Sequence, residues 1–70
     1  MNESSTFTYT RKSNKGKIDI ISSRHGNSYK ATAFAPSGKE ISGVRKQNLP
    51  SHVDAVLATK DALEAQGYIF

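Results

Sequence analysis

Apolar and polar positions alternate along the first half of this chain and give way to a helical period over its last twenty residues. Residues 6–12 alternate strictly. Phe7, Tyr9 and Arg11 point one way, and Thr6, Thr8, Thr10 and Lys12 the other, as in a strand with unlike faces. Residues 17–23 keep that period, with Ile18 and Ile20 on one face and Asp19 and Ile21 on the other. In residues 28–35, Tyr29, Ala31, Ala33 and Ala35 oppose Lys30, Thr32 and Phe34. Residues 39–45 read as a short fourth strand, weakened by Gly43. The intervening segments, 13–16, 24–27 and 36–38, supply the Asn, Gly and Pro that turns require. They recur about every ten residues, the spacing of an antiparallel meander.

Residues 46–50 form a linker, and Ser51 is the predicted N-cap of a helix, with Asp54 as its capping-box partner. The helix runs to Gln66, and Gly67 stops it. At about 100° per residue, Ala55, Val56, Ala58, Thr59, Ala62 and Leu63 make one stripe, with Asp54, Lys60, Asp61 and Glu64 opposite. Such an Ala-rich stripe lets the helix lie close to the Ala face of the third strand. Val53 and Leu57 fall on the polar side, and the closing Tyr68-Ile69-Phe70 is expected to fold back over them. The expected fold is α+β: a three- to four-stranded antiparallel β-meander (6–45), then one C-terminal α-helix (51–66) packed on one sheet face. Residues 1–70 form a single domain, with the polar residues 1–5 frayed.

A chain of 70 residues builds a marginal core. The absence of Cys removes disulfides and thiolate metal sites as staples, which leaves a well-packed monomer or a homodimer. His25 and His52 lack metal-ligand spacing and read as surface residues, so no metal and no cofactor are expected. The first ten residues lack the basic and apolar regions of a signal peptide, and no apolar run reaches membrane-spanning length. A cytoplasmic protein without membrane contact is expected.

Charge adds the clearest signal. Residues 1–50 hold nine of the ten Lys and Arg against three acids, and residues 51–70 hold one Lys against three acids, so a net +4 divides as +6 and −2. A basic sheet half suits an anionic partner, nucleic acid above all. The candidate contacts are Arg11, Lys12, Lys15, Lys17, Arg24, Lys30, Lys39, Arg45 and Lys46, with Tyr9 and Phe34 as candidate stacking residues. A meander would gather Lys15, Lys17 and Lys39 at one end of the sheet, with Arg24 and Arg45 toward the other. No nucleophile–base–orienter set and no phosphate-cradling glycine loop occurs in the sequence, so no catalytic residue is assigned and no enzyme is expected.

The order of elements resembles two nucleic-acid-binding families. Residues 29–67 are similar in pattern to the second hairpin and helix of the integrase arm-type domain and its plant counterpart, in which a three-stranded sheet reads the major groove. The β-β-β-α order, ending in an Ala-rich helix, also resembles the double-stranded RNA-binding domain. The chain lacks that family's first helix, and it has Ser51-His52-Val53-Asp54 where that family carries a Lys cluster. The resemblances imply a small non-enzymatic nucleic-acid-binding module, with DNA ahead of RNA as partner. The alternative is a phage or mobile-element-type inhibitor or accessory protein, similar in size to anti-CRISPR proteins, that binds a host protein.

Overall fold

A computed structural model describes residues 5–70. Strands β1 (Thr6–Ser13), β2 (Gly16–His25), β3 (Ser28–Phe34) and β4 (Lys46–Leu49) precede helix α1 (His52–Ala65). The strands pair antiparallel in the order β1-β2-β3-β4, and α1 packs over β2, β3 and β4. The architecture is the expected α+β meander with one helix on one face.

Register sorts the side chains. Tyr9 lies opposite Ile20, and Arg11 opposite Ile18. Ile20 lies opposite Ala33, and Ser22 opposite Ala31. These positions share the face that carries the buried Ile18, Ile20, Ala31 and Ala33. From α1, Ala55, Val56, Thr59 and Leu63 descend onto them. The buried helix face is therefore mixed, with Ala55 and Thr59 beside the larger Val56 and Leu63. Ala58 and Ala62 form its half-buried rim.

The fourth strand lies later than the sequence suggests. Residues 39–45 make one bridge, Glu40 to Phe34, and Ile41 N–H donates to the Ala33 carbonyl at 2.8 Å. The chain then turns at Ser42-Gly43, where Gly43 has φ 83°. That turn drops Val44 into the core at 0% exposure. The polar 46–49 segment pairs in its place, because the β3 edge needs partners for its backbone. A register shift and a left-handed Asn48, φ 63°, keep β4 short.

Both helix ends are closed locally. Ser51 Oγ accepts from Asp54 N–H at 3.1 Å and donates to the Asp54 carboxylate at 2.9 Å. At the other end, Gly67 N–H donates to the Glu64 carbonyl and Tyr68 N–H to that of Leu63, the paired bonds of a Schellman stop. Gly67 supplies the left-handed residue, with φ 101°.

The C-terminal tail covers something other than its expected target. Asn14 accepts from Ile69 N–H at 2.8 Å and donates through its own amide groups to the carbonyls of Ile69 and Gly67. Tyr68 and Phe70 therefore pack against the core edge beside the first hairpin, under the ammonium groups of Lys15 and Lys60 respectively. Val53 and Leu57 stay 65% and 50% exposed. Residues 1–4 of the expected frayed tail lie outside the described residues. Ser5 is tied down, its carbonyl accepting from Arg24 N–H at 3.0 Å.

Thr59 is 0% exposed, and its hydroxyl has no hydrogen-bond partner among the described residues. A buried unpaired hydroxyl costs about 1–3 kcal/mol. Thr59→Val, nearly the same volume, should therefore raise stability by about 1 kcal/mol. A higher urea midpoint at unchanged slope checks this.

Candidate nucleic-acid interface

The sheet face away from α1 is open. It presents Thr6, Thr8, Thr10 and Lys12 from β1, Lys17, Asp19, Ile21 and Ser23 from β2, and Lys30, Thr32 and Phe34 from β3. Lys12 and Lys17 face each other directly across the β1–β2 ladder, and both are exposed. Neither has an ion-pair partner among the described residues. Asp19 is held by Thr10, whose hydroxyl donates to it at 2.8 Å.

Beside β3, Arg45 forms a two-pronged pair with Glu40, Nη2 to Oε2 at 2.7 Å and Nε to Oε2 at 3.2 Å. Thr32 Oγ1 donates to the same carboxylate at 2.7 Å. The Thr32 hydrogen bond first, then the Arg45 bond and charge, hold the Glu40 carboxyl below its ordinary range. An open groove of about 250 Å³ lies here, with Ile21 and Phe34 as apolar lining and Lys30 and Arg45 as cationic lining.

The structure divides the sequence-selected residues. Lys12, Lys17 and Lys30 share the open face. Lys39 lies in the turn after β3, whose Pro36 abuts Gly16, so it joins Lys15 and Lys17 at the hairpin end as expected. Arg45 reaches the middle of β3 instead of the far end, because Glu40 and Thr32 hold it there. Arg11 and Arg24 belong by register to the helix side. Arg11 donates to Tyr9 Oη at 2.7 Å, and Arg24 Nε to the Gly26 carbonyl at 2.9 Å. Lys15 lies 4.7 Å over Tyr68, and Lys46 is half-buried in β4. Of the stacking pair, Phe34 lies on the open face, whereas Tyr9 packs against the core.

Sequence reasoning missed His52. It is half-buried, with Nδ1 2.7 Å from Ser22 Oγ and Nε2 2.9 Å from Ser5 Oγ. Tyr29 meets its ring edge-on at 4.6 Å, and Phe7 lies 6.0 Å away. Ser22 is 0% exposed and both ring nitrogens are occupied, so this Ser–His pair offers a substrate no accessible oxygen. It joins four segments of the fold. The one legible signal was the phase of Ser22, which follows Ile18 and Ile20 onto the buried face.

No group of three or more His, Asp or Glu among the described residues is placed to hold a metal. Among the described residues, no helix is long and apolar enough to cross a membrane. Compared with known protein families, curated proteins and solved structures, the chain matches none.

Proposed function

We propose that this protein is a small non-enzymatic nucleic-acid-binding module whose contact surface is the open sheet face. The observation that carries the reading is the Lys12–Lys17 cross-strand pair. Like charges directly opposite each other destabilise a sheet. A phosphate seated between the two ammonium groups turns that cost into a contact. Lys30, opposite Ser23 and six residues along β2 from Lys17, adds a second cationic point at the other end of the same face. Phe34 and Ile21 offer an apolar floor between them. An unpaired base stacked on an aromatic side chain gains about 1–3 kcal/mol. Single-stranded DNA is therefore the first partner to test, with duplex DNA and RNA as comparisons.

The test is a fluorescence-anisotropy titration of labelled oligonucleotides at several salt concentrations. Contacts from Lys12, Lys17, Lys30 and Lys39 predict a log–log salt slope of about −3. Lys12→Ala/Lys17→Ala/Lys30→Ala should weaken binding at least about tenfold and bring the slope to about −1. Arg11→Ala, on the helix side, should leave it unchanged. Glu40→Gln should bind more tightly than the parent, because it removes the carboxylate that pairs with Arg45 at the groove's edge and so frees that cation. Absence of binding at low salt to every oligonucleotide overturns the reading.

A further inference from the structure

The two edges of the sheet differ. β4 is four residues long and carries a register shift, a common way to blunt an edge. β1 runs eight residues with an unbroken register to β2. The Ser5 carbonyl accepts from Arg24 N–H, so residues 5, 7, 9, 11 and 13 bond inward in the alternation of an antiparallel ladder. The N–H and C=O groups of Thr6, Thr8, Thr10 and Lys12 point outward, away from β2. No backbone partner holds them among the described residues.

We propose that this edge pairs with β1 of a second copy of the chain, antiparallel about a two-fold axis through Tyr9, to make a continuous eight-stranded sheet. Of the antiparallel self-pairings, this register engages all four outward residues of each copy. Thr6 meets Lys12 of the second copy and Thr8 meets Thr10, each pair exchanging two backbone bonds. It also keeps like charges apart. Lys12 lies opposite a threonine, Arg11 lies opposite Phe7, and Tyr9 faces its own mate. Guanidinium on aromatic and aromatic on aromatic are favourable cross-strand neighbours. An axis perpendicular to the sheet keeps both helices on one side and both open faces on the other. It also brings the hairpin end of one copy, with Ile69 69% exposed, beside the strand end of the other, with Phe7 46% exposed. The self-complementarity of the strand is what selects a second copy over an unrelated chain.

Sedimentation of the full chain over a range of concentrations tests the pairing. A species of twice 7.6 kDa is expected. Thr8→Pro deletes an outward N–H that β2 does not use, so it should sediment as a monomer with an unchanged circular-dichroism spectrum. Single cysteines give a second, independent reading, since the chain has none of its own. Tyr9→Cys places two thiols across a non-hydrogen-bonded pair, with Cβ atoms about 5 Å apart, and should cross-link under mild oxidation. Phe7→Cys places them four residues apart along the strands, about 13 Å, and should not. A monomer at all concentrations, a folded Thr8→Pro that still dimerises, or cross-linking through position 7 in preference to 9 overturns the proposal. If Thr8→Pro does not fold, the cysteine pair decides.

Discussion

Leu63→Ala is expected to lower stability by about 3–4 kcal/mol. Leu63 is 0% exposed and is the largest side chain in the buried stripe of α1, which otherwise consists of Ala55, Val56 and Thr59. It shares the buried cluster with Ile18, Ile20, Ala31, Ala33 and Val44. Alanines contribute no side chain able to swing into a gap, and the strands beneath are fixed by ladders on both sides. The site therefore collapses poorly, and a cavity that persists adds to the lost transfer energy. The same residue organises the helix stop, since its carbonyl accepts from Gln66 and Tyr68 N–H. A domain of this length has about 4–10 kcal/mol in total, so the variant should be partly unfolded near body temperature. Leu63→Met, which conserves volume, should cost less than about 1.5 kcal/mol. Urea midpoints for the two variants check this, and a Leu63→Ala loss under about 1 kcal/mol would show that the helix does not rest on this side chain.

The elements with clean periodicity were legible in the sequence. β2 and β3 alternate because one face of each is buried, and β1 alternates with only Tyr9 half-buried against that core. The helical stripe from Ala55 to Leu63 appears at its period because it is buried too. The fourth strand was not legible, because its pairing is decided by a vacant neighbour and not by its own pattern. Lys46-Gln47-Asn48-Leu49 has neither alternation nor β-propensity. It becomes a strand because β3 has unpaired groups there and Val44, just before it, is anchored in the core. The segment 39–45 has better strand residues, but Gly43 takes φ 83° and breaks its pairing.

The candidate interface was legible as charge and not as geometry. Alternation placed Lys12, Lys17 and Lys30 on the face away from Ile18 and Ile20. The same parity turns Arg11 and Arg24 to the other side, where Tyr9 and the Gly26 carbonyl occupy them. The Arg45–Glu40–Thr32 cluster depends on how the chain returns from its third turn, and no local pattern encodes that path. His52 stands apart for a similar reason. Its contacts lie 47 and 30 positions away in sequence, so only the closed fold brings them together.

His52→Ala is accordingly expected to cost about 2–4 kcal/mol. Ser22 Oγ, buried at 0% exposure, loses its 2.7 Å partner, and an orphaned buried hydroxyl accounts for about 1–3 kcal/mol. The edge-on contact with Tyr29 adds about 0.5–1.5 kcal/mol. The Ser5 bond at 2.9 Å is exposed and adds less, but it ties the start of β1 to the start of α1. Its loss should let that strand end open, with faster amide exchange at Arg24, whose N–H is held by the Ser5 carbonyl. Two further variants separate the contributions. His52→Phe keeps a ring against Tyr29 and removes both hydrogen bonds, so it should recover only the packing share. Ser22→Ala in the His52→Ala background removes the orphan and should restore about 1 kcal/mol. A cycle in which Ser22→Ala and His52→Ala prove additive would show that the two side chains do not depend on each other. Strong coupling would identify the buried Ser–His bond as the link between the sheet and the helix N-terminus.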